Sequence, residues 1–208
     1  MSGRCFAVIP AAGHSRRMGR PKLQLPLADA TMIDRVLKAW TTSCVDVVVI
    51  VIRRDDSSLI RLCQRWPVEI VSPTEDPRDM KESVQAGLKH LRTTQEPRQT
   101  DRCFFAPADL PAINASLIDR LLQVESEANN IVVPEFGGRT GHPVLFPWSV
   151  TSEVFHLLPD EGIRSLLDRH PLTRLPLAAE ERLADIDTPA DYQRMARQMS
   201  GREDPPAD

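Results

Sequence analysis

The sequence predicts a doubly wound α/β fold: a single domain on a mostly parallel sheet, with helices on both faces. Short apolar runs alternate with segments of helical spacing along most of the 208 residues. The early runs are continuously apolar, the pattern of strands covered on both sides. A chain of this length that is 41% hydrophobic also fits one core more comfortably than two.

Six runs read as strands: "CFAVIP" (5–10), "DVVVIVI" (46–52), "VEIVSP" (68–73), "RCFFAP" (102–107), "NIVVPEF" (130–136) and "HPVLFP" (142–147). Between them, "TMIDRVLKAWTTS" places Ile33, Val36, Leu37 and Trp40 on one helical face. "SSLIRLCQRW" and "KESVQAGLKHL" have similar spacing, and "NASLIDRLLQVESEA" opens with an Asn114 cap. After about residue 137 the rhythm breaks into a Gly-Gly pair, a short strand, helices near "TSEVFHLL" and "EGIRSLLDRH", a strand-like "TRLPLA" and a helix from Pro189. "TTQEPRQTD" (93–101) reads as a polar loop, and "SGREDPPAD" (200–208) lacks an apolar face, so the domain is expected to span 1–199 with a disordered tail.

The net charge of −3, from 26 basic and 29 acidic residues, gives no general pull toward nucleic acid or an anionic membrane, so any affinity for phosphate must be local. Aromatics at 5% argue against a base-stacking single-strand binder. Cys5, Cys44, Cys63 and Cys103 stand singly with no C-x-x-C, which supports neither a zinc site nor a disulfide framework. No apolar window approaches the roughly 18 residues of a membrane span, and no export signal is read. The expectation is a cytoplasmic protein.

The local cluster is "VIPAAGHSRRMGRPKLQLP", residues 8–26. In an open parallel sheet, ligands collect beyond the carboxyl ends of the strands, and the first crossover loop commonly serves phosphates. Gly13 and Gly19 are expected to take positive φ and let backbone N–H groups form an anion nest. Ser15 offers a hydroxyl, while Arg16, Arg17 and Lys22 supply charge for phosphate oxygens. The spacing is not G-x-x-x-x-G-K-S/T, since Lys22 follows Gly19 by three residues and Leu23 comes next. A solvated basic surface loop is the competing reading.

The stretch "PAAGHSRRMGRPKLQLPL" resembles the signature A-A-G-x-S-x-R-M-G-x-x-K of the nucleotidyltransferases that activate sugars, isoprenoid precursors and molybdopterin, the MobA-like family among them. That resemblance implies a Rossmann-like nucleotidyltransferase fold. It also implies a loop of Ala11, Ala12, Gly13, Ser15 and Gly19 around a nucleoside triphosphate, with Arg17 and Lys22 as catalytic cations.

Such chemistry calls for magnesium, a hard ion held by one or two carboxylates plus substrate phosphates. "RCFFAPADLPAINASLIDRL" places Asp109 just after a strand, with Pro111 forcing an extended turn. It resembles the family's G-D-x-P metal motif, with Ala108 in place of glycine. Asp109 as a simple turn or cap residue is the alternative. In "LADIDTPADY", Asp185 and Asp187 alternate along an extended segment, so only one is expected to face a site near Asp109. Asp187, closest to the turn, is favoured and Asp185 held in reserve. The stretch resembles a late D/N-x-D/N-T-P-E-D motif of the molybdopterin branch that completes the magnesium shell. A helix cap by Thr188 and Asp187 is the alternative.

"GGRTGHPVLFP" (137–147) resembles the R-G-H-P-V-L-F stretch of the cytidylyltransferases that make molybdopterin cytosine dinucleotide. This implies acceptor contacts from Arg139 and His142, although His142 could equally serve only to organise the loop. "SPTEDPRDMKESVQAGLKHL" (72–91) stands where relatives place G-M-S-x-S-x-x-x-G-L near the base and sugar. Ser83, Gly87 and Met80 match, while Asp79 and Lys81 replace the commoner Gly and Ser. "DEGIRSLL" (160–167) approximates a further family stretch, retaining Gly162 and Arg164.

The resemblance therefore implies transfer of CMP from CTP to the phosphate of molybdopterin, with pyrophosphate leaving. The partners it implies are the triphosphate, the phosphorylated acceptor and a transiently bound molybdoenzyme or its chaperone, with neither nucleic acid nor membrane. Transfer to a sugar phosphate or methylerythritol phosphate, use of GTP, and non-catalytic binding of a nucleotide or cofactor precursor are the alternatives.

Overall fold

The computed structural model describes residues 3–178 and 185–199. Its strands are β1 (Cys5–Pro10), β2 (Pro26–Leu27), β3 (Ala30–Thr31), β4 (Val47–Val51), β5 (Glu69–Val71), β6 (Arg102–Phe105), β7 (Ile131–Phe136), β8 (Arg139–Thr140), β9 (Val144–Pro147) and β10 (Leu172–Leu177). The helices are α1 (Met32–Thr41), α2 (Ser57–Cys63), α3 (Met80–Thr94), α4 (Ala115–Gln123), α5 (Trp148–Thr151), α6 (Ser165–Arg169) and α7 (Pro189–Met199).

The main sheet runs β10-β7-β9-β6-β1-β4-β5, with β8 paired to β7, while β2 and β3 form a separate hairpin. β1 lies parallel to β4 and β6, β4 to β5, and β10 to β7. Only β9 on the main path runs against both of its neighbours. The predicted doubly wound architecture is thus present, with β9 and the short β8 reversed where the sequence rhythm breaks.

Alternate residues of β1 feed two cores. Ala7 and Ile9 pack with α1, α2 and α4 on one face. Phe6 and Val8 pack with α3, α5 and α6 on the other. Every residue of β1 from Cys5 to Ile9 is buried, which is why the run is apolar throughout and does not alternate. Gly87 lets α3 lie directly on this face, since a Cβ there would stand 2.5 Å from Val8 Cγ1.

A third, smaller cluster positions the site. Met18, Leu25, Leu27 and Met32 from the first crossover pack with Ile186 and Met195 from the chain's far end. It fastens the basic loop to the segment carrying Asp185 and Asp187.

The elements depart from expectation after β9. "TSEVFHLL" does not form a regular helix: α5 ends at Thr151 and a 3-10 turn covers Ser152–His156. "EGIRSLLDRH" is helical only over Ser165–Arg169, because the residues before it form a tight turn in which Glu161 caps the Leu158 amide at 2.9 Å. α3 also runs to Thr94, two residues into the expected 93–101 loop. The segment expected to be a disordered tail, 200–208, lies outside the described residues. Among the described residues no helix is long and apolar enough to cross a membrane.

Candidate functional site

Between β1 and α1 the chain makes two 3-10 turns, Arg16–Met18 and Lys22–Gln24, and then the β2–β3 hairpin. The left-handed positions are Ser15, φ 50°, Gly19, φ 64°, and, in the hairpin turn, Ala28, φ 56°. Gly13, expected to share that role, does not adopt positive φ. Ser15 Oγ accepts the Lys22 backbone N–H at 3.2 Å, tying the two ends of the basic stretch together. Buried Met18 roots the first turn in the third apolar cluster.

The loop borders a cavity of about 360 Å³ at the carboxyl ends of β1 and β6. Ala11, Ala12, Gly13, Ser15 and Ser83 line it, as do Arg16 and Lys22. Gly19 and Arg17 are not on its wall: Gly19 closes the first 3-10 turn, and Arg17 instead reaches Asp187 Oδ2 at 3.0 Å. Ser83 is buried, with its hydroxyl donating to the Asp79 carbonyl at 3.2 Å. Asp79 caps α3 by accepting the Glu82 N–H at 2.8 Å, which gives the acid at this position a structural role.

The Lys22 ammonium is the centre of the charged cluster. It donates to Asp109 Oδ2 at 2.6 Å, to the Ile186 carbonyl at 3.0 Å and to Asp187 Oδ1 at 3.1 Å. Burial alone would depress its pKa, but the charge and hydrogen bond of Asp109, reinforced by Asp187, outweigh burial and raise it above the ordinary lysine value. Lysine and acids from three distant parts of the chain thus meet at one point.

Asp109 follows β6 as expected, and Ala108 sits without strain. It is buried, lacks positive φ, and donates its N–H to the Pro10 carbonyl at 3.2 Å. Across the crevice the Ile186 N–H bonds the Asp109 carbonyl at 3.2 Å, so buried Ile186 presents its two acidic neighbours. The cap of α7 is built by Thr188 and Asp191, not by Asp187. Asp191 Oδ2 accepts the Thr188 N–H at 2.9 Å, and Thr188 Oγ1 accepts the Asp191 N–H at 3.2 Å. The Asp187 carboxylate is left to the two cations.

Asp185 lines neither this cavity nor the larger one beside it. Although it is exposed as a residue, desolvation and then the Asp109 charge raise its carboxyl above the usual range, with His142 pulling the other way. The 185–187 segment is irregular and not a strand, and the Ile186 N–H ties it to the Asp109 backbone. The oxygens gathered around Lys22 Nζ, two carboxylates and a carbonyl, form a hard-donor set with one cationic charge already at its centre. Such a set fits magnesium or manganese completed by substrate phosphates. Among the described residues no group of three or more His, Cys, Asp or Glu side chains is arranged to hold a metal.

A second cavity, about 500 Å³, shares Asp79 and Met80 with the first. Phe105, Val144, Phe146 and Leu167 give it an apolar floor, and His142 and Arg164 stand in its wall. Burial holds the His142 imidazole below its ordinary pKa, against the pull of Asp185. Its buried Nδ1 has no hydrogen-bond partner among the described residues. Arg139 is exposed on β8 and lies outside both cavities; the wall there is formed by Thr140, Gly141 and His142. Arg164, retained from the family stretch, is the arginine that lines this space.

Sequence reasoning missed Arg53. Its guanidinium donates to the carbonyls of Ala12 at 3.2 Å and Gly13 at 3.1 Å, and pairs with Asp55 at 3.0 Å. Holding those carbonyls outward fixes the loop's backbone beside the first cavity. The available signal was "RRDD" immediately after β4, on the same sheet edge as the basic loop.

Among curated proteins, the purine catabolism protein PucB of Bacillus subtilis is 30% identical over 207 residues, covering 94% of this chain and 97% of that one. The molybdenum cofactor cytidylyltransferase of Escherichia coli is 23% identical, covering 89% and 92%. A Mycobacterium avium protein named "Probable molybdenum cofactor guanylyltransferase" is 24% identical, covering 91% and 94%. The fold matches the crystal structure of Rv0371c from Mycobacterium tuberculosis in complex with manganese at a TM-score of 0.74, with 22% identity over 93% of this chain and 98% of that one. Residues 7–174 match the MobA-like NTP transferase domain, from the first strand past both cavities to the last strand of the sheet, and the chain belongs to that nucleotidyltransferase family.

Proposed function

We propose that the chain transfers CMP from CTP to the phosphate of molybdopterin and releases pyrophosphate, using magnesium held by Asp109 and Asp187. The observation that carries this reading is the meeting of Lys22 with Asp109 at 2.6 Å and Asp187 at 3.1 Å beside the loop-lined cavity. A phosphate oxygen of the acceptor attacks the α-phosphorus of CTP, the bond to the bridging oxygen breaks, and pyrophosphate departs with the electron pair. No side-chain nucleophile is needed, so the protein contributes positioning and charge. Lys22 and Arg16, both on the cavity wall, neutralise the oxygens of the α-phosphoryl group and the leaving pyrophosphate, and Arg17 joins them once Asp187 is engaged by the metal. Asp109 and Asp187 hold the metal. When bound, magnesium neutralises phosphate charge and fixes the geometry of the triphosphate.

The second cavity supports the acceptor assignment. Its apolar floor suits a fused ring better than a polyol, which would leave its hydroxyls without partners. His142 and the Arg164 guanidinium, both in the cavity wall, provide polar anchoring for a ring edge and a phosphate. Arg139, exposed on the adjoining hairpin, serves an acceptor only where the acceptor extends past the cavity mouth. The cytidylyl preference rests on the "GHPVLF" stretch, and relatives carry both nucleotide names.

Pyrophosphate release measured across a panel of nucleotides and acceptors tests the reading. The expected result is magnesium-dependent release from CTP with molybdopterin, at least tenfold faster than from GTP. Faster release with GTP would overturn the base assignment, and turnover with a sugar phosphate or methylerythritol phosphate in place of molybdopterin would overturn the acceptor. Nucleotide binding without pyrophosphate release from any acceptor would make the chain a binding protein.

A further inference from the structure

Lys81 stands at the N-terminal end of α3, next to Met80 and two residues from Ser83, where a nucleotide contact would be expected from position alone. Its ammonium points elsewhere. The residue is 8% exposed, and Nζ donates to the carbonyls of Leu158 at 2.6 Å, Glu161 at 2.8 Å and Pro159 at 3.2 Å. A lysine ammonium has three N–H donors, and all three are engaged. The carbonyls belong to the turn whose residues 159–164 wall the second cavity. Glu161 closes that turn from the other side, accepting the Leu158 N–H at 2.9 Å and pairing with Arg169.

We propose that Lys81 is a positioning residue for the acceptor: its carbonyl-bound ammonium fixes the 158–164 turn to α3 and thereby sets the wall, including Arg164, against which the acceptor packs. The inference rests on the reading of the second cavity as the acceptor site. The base and triphosphate are not touched by Lys81, because no N–H remains to reach them. Lys81 therefore acts on the acceptor side of the molecule, not the nucleotide side.

The test compares wild type, Lys81→Met and Lys81→Ala in steady-state pyrophosphate release, with nucleotide affinity read separately by calorimetry using CTP and magnesium. Lys81→Met should raise the acceptor KM about tenfold, leaving the CTP dissociation constant within twofold and kcat largely intact. In Lys81→Ala, added propylammonium, which supplies the missing carbons and charge, should restore the acceptor KM, whereas propanol should not. Amide exchange across 158–164 should quicken in both variants and slow again with propylammonium. Equal losses of acceptor and nucleotide affinity, rescue by propanol, or unchanged acceptor KM and exchange rates would each overturn the proposal. Failure of wild type to turn over molybdopterin would sink the acceptor reading alone, and the exchange and rescue measurements would still decide whether Lys81 holds the turn. If Lys81→Met does not fold, Lys81→Ala folded in propylammonium and dialysed free of it gives the same comparison.

Discussion

Each of the two cavities has one lysine at its wall, half-buried Lys22 in the first and buried Lys81 in the second, and the two lysines are held in opposite ways. Lys22 sits between the carboxylates of Asp109 and Asp187, while Lys81 sits among three backbone carbonyls. A carboxylate partner can be shared with a metal, and a lysine so partnered can turn toward a phosphate without leaving the acids uncompensated. Carbonyls that belong to a turn have no other charge to serve, so a lysine bound to them is committed to the backbone it holds. One site is built for exchange of ionic partners and the other for shape.

The largest break in that contrast comes from Lys22→Ala. Loss of a preorganised charge at the reacting phosphates should lower kcat on the order of 10³-fold. It should also leave Asp109 without its cation and Asp187 with Arg17 alone, so higher magnesium should recover part of the loss. Circular dichroism should match wild type, because the lysine sits at the edge of the apolar clusters. Activity close to wild type would discard the loop as the triphosphate site.

Arg53→Met sharpens the same contrast with a smaller effect. Two charge-assisted hydrogen bonds to Ala12 and Gly13 would be lost, each worth about 1.5–3 kcal/mol where fully buried. Only part of that loss should appear as weakened binding, giving a nucleotide KM raised about tenfold, equivalent to about 1.4 kcal/mol. The acceptor KM should stay put, the mirror image of the Lys81 variants. A rise in both constants together would mean that the two cavities are not separately organised.

The difference between the cavities also governs what could be read in the sequence. The first is written largely in one contiguous stretch after β1, because a crossover loop must place its glycine, serine and cations locally to wrap an anion. Asp109 was legible for a similar reason, as an acid at the end of an apolar strand. The relation of Asp185 to Asp187 was not, since it depends on Ile186 pairing with the Asp109 backbone and not on strand alternation. The second cavity draws on α3, β6, the chain from β8 to β9, and α6 with the turn before it, segments scattered along the sequence. Lys81 bonds carbonyls, which every residue has, so nothing in the side chains at 158–161 announces the partner. The same holds for Arg53, whose partners are the carbonyls of an alanine and a glycine.

Asp34 supplies the control, a buried charge away from both cavities that should affect stability alone. It is 7% exposed and accepts from Thr31 Oγ1 at 2.6 Å, Arg65 at 2.5 Å and Trp66 Nε1 at 2.9 Å. Burial would raise its pKa, but the hydrogen bonds from Thr31, Arg65 and Trp66 outweigh burial and lower it from 3.8 to about 2. Because the folded value lies below the unfolded one, the stabilisation is fully present above about 3.8 and fades as pH falls toward about 2. Asp34→Asn should cost about 1–3 kcal/mol in urea unfolding at pH 7, since an amide cannot satisfy all of these donors. Both KM values should be unchanged. The gap between wild type and variant should hold steady from pH 7 to about 4 and then narrow. A gap unchanged at pH 2 would assign the stabilisation to packing and not to the charge, and a shift in either KM would show that the α1 cap communicates with the loop before it.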